Sequence, residues 1–139
     1  ANGGYYITPH INKHDSMQLH KHQIDIDAKY FDVVKKGMHR VMTNGTGRYY
    51  LIDGIEVAGN TGTAENPHGK DHAVFIGYAP LENPQIAVAV VVENAGFGAT
   101  WAAPIASLMI EQYLTGEIKR KDLKNRIANA VINESVKIW

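Results

Sequence analysis

The chain contains no cysteine, which excludes disulfides, thiolate metal sites and a cysteine nucleophile together and leaves the redox compartment open. Neither sign of charge is in excess: 14 basic residues balance 14 acidic ones, and the pI is about 7.3. Without a basic field to hold a phosphate backbone, nucleic acid is excluded as a partner class. Long apolar runs are missing too. The longest strictly apolar stretch runs from Ile86 to Val92, far short of the ~20 residues a membrane-spanning helix requires, so it reads as a buried strand. The first residues, Ala1-Asn2-Gly3-Gly4-Tyr5-Tyr6, have neither a basic leader nor an apolar signal core and read as a sequence entered in mid-fold.

What is present is an ordinary globular composition: 139 residues, 45% hydrophobic and 20% charged, enough for one modest core. Phe31, Val34, Met38 and Val41 recur at spacings of three and four and predict a helix over 28–42. Asn44-Gly45-Thr46-Gly47 should stop it, since asparagine and glycine tolerate the positive φ of a helix exit. Arg48 to Ile52 and Ile55 to Ala58 flank Asp53-Gly54, a pair suited to a type I′ turn, so that a tight hairpin or a short reversal is expected. Asp71 to Ala79 alternates and reads as a two-faced strand. Gln85 to Glu93 is a nearly continuous β-branched run, expected to be a central strand in the parent fold.

Thr100 is expected to cap a helix from Trp101 to Leu114 that ends at Gly116, with Pro104 in its first turn. Trp101, Met109 and Tyr113 on it read as core packing. Lys119 to Ile132 predicts a second helix with Leu123, Ile127, Ala130 and Val131 inward. Strands joined by short loops pair antiparallel, so the fold class is α+β: an antiparallel sheet flanked by helices.

Gly59-Asn60-Thr61-Gly62-Thr63-Ala64 ends a strand just before a turn-rich loop. Alternate positions put the Thr61 and Thr63 hydroxyls on one strand face, and Gly62 between them admits a ligand close to the backbone. Such an edge can bind a carboxylate, pair with an extended ligand, or offer N–H groups to an oxyanion. Local spacing alone also fits a plain turn.

The surrounding matches decide more. The segments ANGGYYITPHI, Gly37-Met38, VAGNTGTAENPHGKDH, FIGYAP and IAVAVVVENAGFGAT follow one another in an order that resembles class B, high-molecular-mass penicillin-binding proteins, their elongation transpeptidases above all. The resemblance implies a fragment of the serine β-lactamase and penicillin-binding transpeptidase fold. Residues 1–139 would be the C-terminal portion of one transpeptidase domain, family-like over about 1–116, with 117–139 a helical tail.

That family uses Ser-x-x-Lys, Ser-x-Asn and a Lys-Thr-Gly strand, and only the third region is here. Ser16, Ser107 and Ser135, the only serines, begin none of these motifs. The resemblance implies that Thr61, Gly62 and Thr63 bind the carboxylate of a peptidoglycan stem peptide or a β-lactam. The Thr63 N–H would supply half of the oxyanion hole, the missing serine the other half, and Glu65 to Asp71 would rim the cleft. Position 60, lysine in the family, is Asn60, so the expected cation is lost. The resemblance further implies an extracytoplasmic, membrane-anchored parent, elongation-machinery partners, no cofactor, and an unpaired edge at the Gln85 strand through which this fragment self-associates.

Two rival readings stand beside the enzyme. Asn60 favours a non-catalytic penicillin-sensing or scaffold domain of the same fold. Seven histidines, with His20 and His22 two apart and His68, Asp71 and His72 close together, invite a metal site. No thiolate or His-Glu-x-x-His pattern supports one, and exposed or hydrogen-bonded histidine is the plainer reading.

Overall fold

The computed structural model describes residues 1–9 and 20–132. Strands β1 (Tyr5–Ile7) and β2 (Lys21–Gln23) form a two-stranded antiparallel ribbon. Helix α1 (Ala28–Thr43) leads to a one-turn 3₁₀ segment at Arg48–Tyr50, then to β3 (Ala58–Ala64), β4 (His72–Ala79) and β5 (Ile86–Val92). Helices α2 (Ala102–Thr115) and α3 (Lys121–Ala128) follow. β3, β4 and β5 make one antiparallel sheet in that order, the α+β arrangement expected from the pattern.

The register places Thr61 opposite Phe75, Thr63 opposite Ala73, and Gly59 opposite Gly77. Directly paired residues project to the same face of a sheet, so one face carries Ala73, Phe75, Gly77 and Ala79 with Ile86, Val88, Val90 and Val92 across from them. That face meets the buried Ala102, Ala103, Ala106 and Ile110 of α2 and forms the core. Three alanines let the helix sit close to the sheet, and Phe75, 1% exposed, fills the remaining space.

Several expectations require correction. Arg48 to Ile52 does not form a strand; only an isolated Ile52–Ile55 bridge spans the Asp53-Gly54 turn. The carbonyls of Tyr50 and Leu51 accept hydrogen bonds from Arg120 Nη1, each at 3.2 Å, in place of a strand partner. The α1 exit needs no positive φ, for Asn44 sits at φ −124°. Glycine is required there by crowding: a Cβ at Gly45 would lie 2.9 Å from the Val41 backbone, and one at Gly47 2.5 Å from Met42 Sδ. Along α1 Phe31, Met38 and Val41 are half-buried but Val34 is exposed, because the residue that enters the core is Met42, on the last turn.

Thr100 does not cap α2. Trp101 holds the cap position, and the Gly98 carbonyl accepts the Ala103 N–H at 2.9 Å, satisfying a first-turn donor from the backbone. Gly116 does end α2 in the left-handed region, at φ +80°. Met109 and Tyr113 are exposed, not core: α2 shows the sheet its alanine stripe, and these two side chains line an open apolar groove with Ile86, Ile105, Ile118 and Ile127. The last helix is shorter than expected, and Ala130 and Val131, beyond its end, are exposed.

Helices α2 and α3 are joined by charge. Glu111, 3% exposed, accepts from Arg120 Nε at 3.0 Å and from the Lys119 N–H at 3.1 Å, and Arg120 Nη2 reaches the Ser107 carbonyl at 2.9 Å. A buried carboxylate held by several donors is the arrangement under which such a pair is tolerated.

Candidate active-site wall

The six-residue segment singled out in the sequence lies in β3. β3 pairs with β4 on one side; among the described residues no strand pairs with its other edge. Gly59 is buried beneath Phe75, whereas Asn60, Thr63 and Ala64 are exposed and Thr61 and Gly62 partly so. Thr61 and Thr63 share a face, and Asn60, opposite Ile76, projects from the other. The structure therefore brings the two hydroxyls together beside a free strand edge and puts no cation in the strand itself.

Gly62 is not glycine for the sake of the fold. A Cβ there would meet only Val74 Cβ, at an ordinary 3.6 Å. The crowded glycine is Gly98, on the link after β5: a Cβ on it would lie 2.2 Å from the Val74 carbonyl oxygen and 2.4 Å from that of Gly62. Asn94-Ala95-Gly96-Phe97-Gly98 has the composition of a flexible link. It is a backbone pressed against the β3–β4 pair just behind the candidate wall.

A side-chain network fixes the loop and the link to one another. Asn66 Nδ2 donates to Asn94 Oδ1 at 2.6 Å and to the Lys70 carbonyl at 3.3 Å, while Asn66 Oδ1 accepts the His68 N–H at 3.0 Å. The Asn66 N–H reaches Asp71 Oδ1 at 3.3 Å, and the Gly96 N–H donates to the Asp71 carbonyl at 2.7 Å. The Asn94 N–H donates to His72 Nδ1 at 3.1 Å, which requires that nitrogen to be unprotonated and occupied.

His22 serves a different end: its ring stacks on Tyr6 with centroids 4.7 Å apart, and its Nε2 is 2.9 Å from Thr8 Oγ1. Among the described residues no group of three or more metal-binding side chains is gathered to hold an ion. Ser107 is buried, donating to the Pro104 carbonyl at 2.9 Å and receiving Arg120 Nη1 at 3.3 Å; it is packed as a structural hydroxyl. Ser16 and Ser135 lie outside the described residues.

Sequence reasoning missed one polar residue of this wall. Thr46, on the loop after α1, brings its Oγ1 to 2.7 Å from Thr61 Oγ1. The available signal was the Gly45-Thr46-Gly47 sequence, which reads only as a helix stop until the fold sets it against β3.

Residues 1–111 match the penicillin binding protein transpeptidase domain. The chain belongs to that family. Its relatives place it with the class B penicillin-binding proteins. It is 32% identical over 152 residues to the peptidoglycan D,D-transpeptidase MrdA of Haemophilus influenzae, a match covering 90% of this chain and 23% of the relative. Penicillin-binding protein 2 of Pseudomonas aeruginosa, solved in complex with WCK 5153, superposes with a TM-score of 0.61 at 36% identity, over 74% of this chain and 23% of that one. Penicillin-binding protein A of Mycobacterium tuberculosis, solved as a ceftriaxone acyl-enzyme complex, gives a TM-score of 0.63 at 30% identity, over 69% and 23%. The chain thus spans about a quarter of the length of the proteins it matches. Its fold is that of the family's transpeptidase domains.

The two glycines differ in what the fold requires of them. Gly98→Ala is expected to destabilise the chain by about 1–3 kcal/mol through forced backbone displacement, and Gly62→Ala to stay within about 0.5 kcal/mol of wild type. Urea denaturation followed by circular dichroism checks both; a Gly98→Ala protein as stable as wild type would contradict the described packing.

Proposed function

We propose that residues 1–139 are the C-terminal portion of one transpeptidase domain, family-like over about 1–116 with a helical tail at 117–139. The whole protein cross-links peptidoglycan stem peptides by acyl transfer through a serine ester and binds penicillin at the same place. The observation that carries this reading is the arrangement of β3: two hydroxyls on one face, a backbone edge unpaired among the described residues, and a glycine between them whose missing side chain the fold does not require.

In this reading Thr61 and Thr63 hold the ligand carboxylate, Gly62 lets the acyl chain lie against the backbone, and the Thr63 N–H receives half of the developing oxyanion charge. The serine N–H supplied by the rest of the domain receives the other half. The 65–71 loop, pinned through Asn66 to Asn94, forms the rim. The chain by itself offers no nucleophile in a Ser-x-x-Lys setting and is inactive alone. The parent works outside the cytoplasm, anchored by a segment elsewhere in the protein and in company with cell-wall elongation proteins; among the described residues no helix is long and apolar enough to cross a membrane.

Asn60 favours a second reading, a sensing or scaffold domain of the same fold. Asparagine donates neutral hydrogen bonds where lysine would give charge-assisted ones, which are roughly twice as strong. Labelling the longer protein with fluorescent penicillin separates the two. The enzyme reading predicts labelling of the Asn60 protein and acylation about tenfold faster after Asn60→Lys, an effect of about 1.4 kcal/mol. No labelling of either form supports the second reading: reversible penicillin binding then marks a sensor, and no binding marks a scaffold. The 139-residue chain stays unlabelled; covalent labelling of it would overturn the proposal.

The edge of β5 bears on the chain in isolation. β5 pairs only with β4 among the described residues, and Val91 and Ile76 on the outward face are 62% and 49% exposed. An unpaired apolar edge is a template for association, so the isolated chain is expected to self-associate in a concentration-dependent way in sedimentation velocity. A single monomeric species at all concentrations would contradict this.

A further inference from the structure

We propose that Thr46 is a positioning residue for the carboxylate-binding hydroxyl of Thr61, an inference that rests on the transpeptidase reading above. The two Oγ1 atoms lie 2.7 Å apart, the usual separation for a hydroxyl–hydroxyl hydrogen bond. One of the two protons sits between them, and the other stays free to donate outward. Hydroxyl protons rotate to suit their surroundings, so an anion arriving at Thr61 selects a single chain: Thr46 donates to Thr61, and Thr61 donates to the carboxylate. Each bond in such a chain polarises the next and strengthens it.

The arrangement is built into a fixed loop. The Asn44 and Gly45 N–H groups both donate to the Arg40 carbonyl, at 2.9 and 3.0 Å, and the Gly47 N–H donates to the Val41 carbonyl at 3.0 Å. Gly47 is buried against Met42, itself 0% exposed, and neither Gly45 nor Gly47 has room for a Cβ. Thr46 is the one side chain that this turn projects between two positions closed to side chains, and its hydroxyl meets β3. In a strand where position 60 contributes no charge, the orientation of neutral donors decides how well an anion is held.

The test uses the longer protein that carries the serine motifs, with Thr46→Val removing the hydroxyl at constant shape and Thr46→Ser restoring it. Two probes are compared by acylation rate constant: a fluorescent penicillin with its free carboxylate, and the methyl ester of the same compound. Thr46→Val is expected to slow the carboxylate probe about tenfold while leaving the ester unchanged, and Thr46→Ser to remain within about twofold of wild type. An unchanged ratio of the two rates in Thr46→Val, or an equal fall on both probes, overturns the inference.

Failure of wild type to react with either probe would instead sink the transpeptidase reading. Thr46 is then judged by calorimetric titration of N-acetyl-D-alanyl-D-alanine and its C-terminal amide into the same proteins. Wild-type preference for the carboxylate that disappears in Thr46→Val supports the role of Thr46; no preference, or a preference the variant keeps, overturns it.

Discussion

The ring of Phe75 takes the space over the sheet that side chains at positions 59 and 77 would need, and much of the molecule follows from that. A Cβ on Gly59 would lie 2.4 Å from the ring, and one on Gly77 2.8 Å from it. The two facing glycines let the aromatic lie flat across β3 and β4, where burying it is worth about 1.5–3 kcal/mol. The alanine stripe of α2 closes over the same face. With Phe75 fixed, the register fixes Thr61 opposite it and Thr63 opposite Ala73, so the residue that builds the core also aims the two hydroxyls. A one-residue slip would exchange them for Asn60 and Gly62.

The β3 face that carries Thr61 and Thr63 is consequently built from neutral side chains on a stiff support. Thr46 reaches it from the exit of α1, Gly98 presses on it from the link after β5, and the 65–71 loop is held to that link through Asn66 and Asn94. On the proposed reading the wall receives a carboxylate, aligns an extended chain and offers backbone N–H groups, and bond making falls to residues outside this chain.

Where periodicity is strong, the chain was readable before folding. Helix α1 and the strands at 71–79 and 86–92 each formed where the pattern put them, but β5 is not the buried strand its apolar run suggested: among the described residues it is an edge, only its face toward α2 is covered, and Val91 on the other face is 62% exposed. The Gly-Asn-Thr-Gly-Thr-Ala segment does end a strand just before a turn-rich loop. The failures have local causes. Arg48 to Ile52 has the composition of a strand, but Arg120, some seventy positions later, takes two of its carbonyls, and no window around residue 50 contains that partner. Thr100 looks like a cap because threonine often is one, yet the Gly98 carbonyl already serves the first turn of α2. Thr46 was illegible as a neighbour of β3 because the residue its hydroxyl meets, Thr61, is fifteen positions away, across a turn whose glycines read only as a helix stop. Met109 and Tyr113 follow helical spacing but flank the alanine stripe that actually faces the sheet, so periodicity identified the helix without identifying its buried side.

On the proposed reading β3 is the wall against which a ligand carbonyl and carboxylate are held, with the Thr63 N–H directed at the oxyanion. Residue-resolved amide hydrogen exchange in the longer protein, before and after complete acylation by penicillin, tests it most directly. Exchange at Thr63 is expected to slow on acylation, with the buried 57–59 stretch of the same chain segment unaffected. Full acylation with unchanged exchange at Thr63 would contradict it.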